Sequence, residues 1–342
     1  MIYKYNILSK HRTELMGLAI LWVMFFHSSI DINNSILNMV KRIGYGGVDI
    51  FLMLSGLGLY YAYKKNNNII LFYKRRILRI LPTYLPVVVV FCVLLYINST
   101  ISFETLIMNI TTLSFWFNTS YRFDWFIPAI IALYLIAPII LQIFFNKETN
   151  KSRYNVISIC ILIALVLSIL IINSEMSYLL IFTSRIPIFC IGIIIGYFSD
   201  TKKNISSIHL FVNILLLVIG CVLLIVFIEK FENHLWSYGL WWWPFMFITV
   251  PLCIIIGICI DFIKCITELK FINFCGNHSL ELYLFHERIL SLVSAKFVNL
   301  DKITINLVCI IITFIMAFMW KKVISYIFKF NIKKKLGLST LG

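Results

Sequence analysis

Apolar residues run along this chain in long blocks separated by short polar stretches. A bilayer core about 30 Å thick needs about 20 predominantly apolar residues in a helix. Ten blocks answer that description, at approximately 15–30, 44–63, 80–97, 125–145, 155–173, 178–198, 209–228, 239–261, 278–295 and 303–324. The stretch from Leu106 to Phe117 is too short to span and is expected to lie in the interface or re-enter. Trp116, Trp125, Trp236 and Trp241 to Trp243 fall near predicted helix ends, where aromatic belts form. The pattern predicts an all-α integral membrane bundle of about ten transmembrane helices.

Composition narrows this further. Hydrophobic residues make up 61% of the 342 and charged residues only 13%, against about 25% charged in a soluble domain. A soluble globule of this size is thereby excluded. No domain boundary, linker or internal repeat is visible, so residues 1–342 read as one membrane domain, with a bundle over about 14–328 and a basic cytoplasmic tail at 329–342. The first apolar stretch is followed by no small-residue cleavage site, so a cleavable signal peptide is not expected. The nine cysteines are scattered, with no C-x-x-C pair and no metal-ligand spacing. Three N-x-S/T sequons, at Asn98, Asn109 and Asn118, are the kind that arise by chance in a chain rich in Asn and Ile.

The net charge of +15 raises nucleic acid as a partner, but its distribution argues against it. With the N-terminus inside, inside segments hold 22 of the basic residues and outside loops hold six, namely Lys41, Arg42, Arg122, Lys230, Lys296 and Lys302. Lys and Arg excess marks the cytoplasmic side. Both termini are therefore expected in the cytoplasm, and the charge faces anionic lipid and any anionic cytosolic ligand.

Ionisable groups inside membrane helices are costly and default to functional candidates. Here they are His27, Asp49, Arg185, Glu281, His286, Glu287 and Arg288. At about 1.5 Å per residue, His27 lies roughly 18 Å above the inner boundary, while Asp49 and Arg185 lie about 8 and 10 Å below the outer one. Three ionisable residues from three helices thus fall in the outer half, as a structural cluster or as a site open to the outside. The spacing of seven between Glu281 and Arg288 suits a local pair. His286 falls near the midplane or in the outer half, according to where its helix begins.

Ahead of the third predicted helix stands Lys74-Arg75-Arg76-Ile-Leu-Arg79-Ile-Leu-Pro82. A positive-inside anchor explains Lys64 and Lys65 well. Arg76 and Arg79, at i and i+3, share one helical face. Such a face can clamp phosphate oxygens bidentately, as Lys cannot.

Five segments now appear in an order that resembles the acyltransferase-3 family of membrane acyltransferases. Glu14 to His27 (ELMGLAILWVMFFH) resembles its first helix, which ends in a histidine. Gly44 to Gly58 (GYGGVDIFLMLSGLG) is similar to its G-V-D-x-F-x-x-x-S-G signature. Phe72 to Tyr84 (FYKRRILRILPTY) resembles its R-x-x-R-x-x-P-x-Y segment. Asp124 to Pro138 (DWFIPAIIALYLIAP) and Gly276 to His286 (GNHSLELYLFH) resemble its Trp-Phe…Tyr-Leu…Pro helix and its late L-Y-L-x-H motif. One departure stands out. The family commonly has Arg or Lys eleven positions before the histidine, where this chain has Met16; Arg12 lies one helical turn earlier.

The resemblance implies transfer of an acyl group, usually acetyl, from cytosolic acyl-CoA to a hydroxyl on a cell-surface glycan or its lipid-linked precursor. This would be a stand-alone form in the cell membrane, expected to be a bacterial plasma membrane. No permanently bound cofactor and no metal are implied; acyl-CoA is a donor substrate. Arg75, Arg76 and Arg79 are the candidate donor-binding residues. His27, with an ordinary pKa of about 6.5, is the candidate general base, with transient acyl transfer to its ring as the other route. Asp49 would orient His27 or hydrogen-bond the sugar. Arg185, Trp125, Tyr283 and His286 are candidate acceptor-binding residues. The competing class is a secondary transporter or flippase for a lipid-linked sugar. That class usually carries paired halves, which are not visible here, and has no need of a CoA-binding face.

Overall fold

The computed structural model describes residues 3–297 and 299–336, with side chains to residue 327. A helix stands at each of the ten predicted positions: α1 (Arg12–His27), α2 (Gly47–Lys65), α3 (Ile69–Ile97), α4 (Phe126–Phe145), α5 (Asn150–Ile171), α6 (Ile186–Asp200), α7 (Ser207–Lys230), α8 (Phe245–Lys264), α9 (Ser279–Lys296) and α10 (Lys302–Leu336). Among the described residues there is no strand, only an isolated bridge between Lys4 and Asn204. The terminal segment 337–342 of the expected basic tail lies outside the described residues; residues 329–336 continue α10.

Among the described residues seven helices are long and apolar enough to cross a membrane, or eight if the bent pair Ser35–Arg42 and Gly44–Lys65 counts as one span. The remaining two, α1 and α9, fall short for physical reasons. α1 has only 16 residues, whereas α6 counts together with the turns ahead of it as one span of 24, Ser177–Asp200; α9 carries Glu281, Glu287, Arg288 and Lys296 within its 18. Both pack inside the bundle, where the protein rather than lipid surrounds them. The outer shell is apolar in the way a bilayer requires: Ile159, Leu162 and Ile163 on α5 and Val218, Val222 and Ile225 on α7 are exposed.

Successive helices alternate in direction, and polar contacts collect at two ends. At one end Lys10 meets Asp261, and Lys64 reaches Asp200 at 2.5 Å. At the other, Lys302 reaches Asp31 at 2.6 Å and Arg42 reaches Glu232 at 3.6 Å. The first end also carries Arg12, Arg76 and Arg79 and is called the basic end below.

Close helix crossings rest on small residues, as lipid supplies no hydrophobic drive between helices. α2 and α6 cross where Gly56 faces Phe189 and Gly192 faces Met53; a Cβ on either glycine would overlap the opposing carbonyl oxygen. The helix Lys270–Asn277 packs on α1 in the same way, with Gly17 against Ile272 and Gly276 against Thr13. That pairing runs antiparallel to α1, so the chain descends to Asn277, reverses at His278 and climbs again as α9.

Two boundaries differ from expectation. The span predicted at 178–198 is broken: Leu180–Thr183 is a single turn, and α6 begins only after Arg185. Arg185 therefore sits at a helix start and not inside one. The short stretch near 106–117 holds the helix Phe103–Ile110, and its Asn109 is buried. The Asn109 amide donates to the Thr105 carbonyl at 2.8 Å and to that of Tyr121 at 3.1 Å. An amide so engaged presents no nitrogen for glycosylation.

Candidate active site

α1 carries the first site residue at its final position. The ring of His27 packs edge-on against that of His286 on α9, with centroids 5.1 Å apart at 68°. Only carbonyls face Nδ1 of His286, that of Tyr283 at 2.7 Å and that of Leu282 at 3.2 Å. A carbonyl accepts and never donates, so Nδ1 carries the proton and Nε2 holds a lone pair. Nε2 is buried and has no hydrogen-bond partner among the described residues. Two imidazoles from helices some 250 residues apart in the chain thus meet, one of them with a free lone pair in a buried setting.

Tyr283 connects this pair to α4. Its ring lies 5.8 Å from His286 and 5.2 Å from Phe126. Its hydroxyl donates to Asp124 Oδ1 at 2.6 Å. Asp124 in turn accepts from the backbone N–H groups of Phe126 at 3.0 Å and Ile127 at 2.9 Å, closing the open first turn of α4. Asp124 is a site residue that the charge survey passed over, because it precedes its apolar run. An acidic residue directly before a predicted helix is the capping signal that marks it.

Asp49 does not join His27. It lies at the start of α2 and forms a buried ion pair with Arg185, Oδ2 to Nε at 3.4 Å, each residue 1% exposed. Arg185 also donates from Nη1 to the Ile181 carbonyl at 2.9 Å. Its guanidinium is flanked by Trp125 at 5.0 Å and Trp242 at 5.2 Å from the ring centroids. The expectation that Asp49 orients the His27 ring is corrected: its carboxylate is taken by Arg185, and the ring beside His27 is His286. The expected neighbourhood of Asp49 and Arg185 in depth is met, and the two neutralise one another. Arg185 is thus 1% exposed, with an indole beside each of two approaches and with Nε and Nη1 both bonded. The suggested local pair of Glu281 and Arg288 is also corrected. Arg288 bonds the Phe123 carbonyl and lies over the Phe123 ring at 4.6 Å, whereas Glu281 lines the cavity with Lys321.

A cavity of about 520 Å³ links the basic end to this region. Arg12, Arg79, Lys321 and Glu281 line it at one end, and Val48, Phe51, Phe126 and Tyr283 at the other. Between them the wall is largely apolar, with Met16, Ile80, Ile127 and Ile130. Arg76 flanks the same mouth, with its guanidinium over Phe72 at 5.6 Å and Tyr134 at 5.8 Å. Arg75 is exposed and does not line the cavity. Among the described residues no carboxylate forms a salt bridge with Arg12, Arg76 or Arg79.

The class of protein is thereby defined: an integral membrane helical bundle with a basic-mouthed cavity that reaches Tyr283, beside a buried His286 and a partly exposed His27. Residues 15–324, nearly the whole chain, match the family model described as an acyltransferase domain of the acyltransferase-3 type. The chain belongs to that family and is a membrane acyltransferase. The match favours the transferase expectation over the transporter one. No curated protein and no solved structure matches the chain.

Proposed function

We propose that the protein moves an acyl group, acetyl in the first instance, from cytosolic acyl-CoA to a hydroxyl of a cell-surface glycan or its lipid-linked precursor. The observation that carries this reading is the cavity: three cations without carboxylate partners at its mouth, apolar walls, and the His27–His286 pair beside its far end. A donor whose phosphates stay at the mouth while a slender arm carries the thioester inward suits that shape. Both termini, on this reading, face the cytoplasm with the mouth.

His27 acts as general base. The acceptor oxygen attacks the thioester carbonyl, forming the C–O ester bond as the C–S bond breaks. The hydroxyl proton passes to a ring nitrogen of His27 and then to the departing CoA sulfur. His286, its tautomer fixed by the Tyr283 carbonyl, offers Nε2 as an acceptor in the same space. It steadies the His27 ring or holds the acceptor hydroxyl. Tyr283 and Asp124 fix that segment of α9 against α4. Direct transfer needs no second nucleophile, which favours it over an acyl-imidazole.

The test uses purified protein in lipid vesicles with labelled acetyl-CoA and extracted surface glycan. His27→Ala is expected to abolish transfer while CoA binding persists. His27→Gln keeps a hydrogen-bonding side chain but cannot take the proton, and is expected to be nearly as inactive. Substantial transfer by a well-folded His27→Gln protein refutes the general-base role. The same glycan acetate content in cells with and without the gene refutes the acceptor class.

A further inference from the structure

The single turn Gly44–Gly46 ahead of α2 is clamped on both sides. A Cβ on Gly44 would overlap the Trp22 carbonyl of α1, and one on Gly46 would enter the Phe245 ring of α8. Tyr45 between them is thereby fixed. Its ring meets those of Phe26 at 5.7 Å, Phe245 at 5.3 Å and Trp241 at 5.2 Å between centroids. Tyr45 is 8% exposed, and its hydroxyl has no hydrogen-bond partner among the described residues. The indole N–H of Trp241 is buried and unpartnered in the same way. Buried polar groups without partners are destabilising. Phenylalanine in place of Tyr45 would keep the aromatic contacts and leave no such group behind.

This cluster stands at the end opposite the basic one, and none of Phe26, Tyr45 and Trp241 lines the cavity of about 520 Å³. Trp236 is 60% exposed beside it, its ring 6.3 Å from that of Trp241 and 5.5 Å from that of Trp242. Arg42 lies 5.9 Å from the Trp241 centroid and is paired with Glu232 at 3.6 Å. The cluster thus offers indole faces, an N–H donor and a hydroxyl, with the cation beside it already paired. A sugar ring suits that chemistry: its C–H face packs on an indole, and its hydroxyls accept from an N–H and exchange with a tyrosine hydroxyl. A phosphate does not suit it. A tryptophan that only anchors a bundle in the bilayer keeps its N–H at the wet side, whereas that of Trp241 is buried. Phe26 joins the cluster to the imidazole, its ring 4.9 Å from that of His27.

Resting on the glycan-acceptor reading, we propose that Trp236, Trp241 and Tyr45 form a subsite for the sugar ring next to the one that is acylated. Trp236, the exposed member, meets the glycan first and moves aside as the ring enters. Trp241 Nε1 and Tyr45 Oη then bond its hydroxyls, and the neighbouring sugar presents its own hydroxyl to His27.

The test is acetyl transfer from acetyl-CoA by the full chain in nanodiscs. The acceptors are oligosaccharides released from the surface glycan of cells lacking the gene, and their component single sugars. The wild-type chain is expected to prefer the oligosaccharides at least tenfold in kcat/KM; equal use of single sugars overturns the subsite. Tyr45→Phe is expected to raise KM for the oligosaccharides by roughly two- to tenfold, the range for one neutral hydrogen bond. KM for acetyl-CoA is expected to stay the same, and Tm to hold or rise because an orphan hydroxyl is gone. Trp236→Ala is expected to raise the oligosaccharide KM as well, and Trp236→Tyr to keep most of the affinity because a flat face remains. Unchanged oligosaccharide KM in Tyr45→Phe and Trp236→Ala overturns the proposal, including the case where only membrane retention falls and the cluster is a bilayer anchor. A lowered Tm in Tyr45→Phe with equal losses for both substrates overturns it too, reducing the hydroxyl to packing. A wild-type chain that acetylates neither oligosaccharides nor single sugars overturns the glycan-acceptor reading itself.

Discussion

The Asp49–Arg185 pair gives the sharpest test of how the upper part of the bundle is held together. Removing one member of a buried ion pair costs about 3–5 kcal/mol, because the survivor is left charged and without a partner. Asp49→Asn belongs at the lower end of that range: Arg185 keeps the Ile181 carbonyl and both indole faces. Arg185→Met belongs at the upper end. It leaves the Asp49 carboxylate alone and forfeits two cation–π contacts, each worth about 0.5–2 kcal/mol. At about 2 °C per kcal/mol for a chain of this size, the Tm in detergent is expected to fall by about 6–10 °C in the single variants. Replacing a whole buried pair with neutral groups is often nearly neutral, so the double variant is expected to be more stable than either single one. Transfer activity is expected to follow the same order, since Asp49 acts through Arg185. Two results refute this reasoning: a double variant whose loss equals the sum of the singles, or one that regains its Tm but stays inactive. The second would return Asp49 to the chemistry.

Further expectations follow from contacts elsewhere. Gly276→Ala drives a Cβ into the Thr13 carbonyl and is expected to lower folded yield and Tm sharply, measured by fluorescence-detected size exclusion. Tyr283→Phe removes a hydrogen bond to the Asp124 carboxylate and is expected to cost about 1.5–3 kcal/mol, read as a Tm loss together with reduced transfer. A reporter fused after Leu341 is expected to read cytoplasmic and one near Asn118 external; an external tail would overturn the orientation and the donor side with it.

Most of the helices were legible because their apolar blocks are long enough to be spans by themselves; α1 and α9 are not. The partnerships between them were not. His27 meets His286, and Asp49 meets Arg185, across separations of 259 and 136 residues in the chain, and hydropathy carries no lateral information. Depth was more informative, since it rightly grouped Asp49 with Arg185. Its error with His27 came from treating similar depth as contact. The break ahead of α6 is marked in the sequence by Thr183, Ser184, Arg185 and Pro187, which the apolar residues on either side outweigh in a hydropathy reading. The short helix Lys270–Asn277 ahead of the reversal at His278 was not expected, because Asn273, Gly276 and Asn277 interrupt its apolar residues before the block at 278–295 begins. Arg12 stands out in the sequence only as a neighbour of Met16; that it lines one cavity with Arg79 is a property of two helices together. The family match covers the chain without resolving these contacts.

α1 begins with Arg12 and ends with His27. Fifteen steps at about 1.5 Å set these two residues roughly 22 Å apart along the axis. An α-helix is a stiff rod, so on the proposed reading that separation is a fixed gauge between the cavity mouth and the imidazole that takes the proton. Donors would then be sorted by reach as much as by charge. One whose arm is shorter would leave its thioester stranded below the imidazoles, and one that is bulkier along its length would jam in the apolar walls. Lengthening α1 by a turn of four residues would move the gauge by about 6 Å, a change no side-chain rearrangement at either end could absorb.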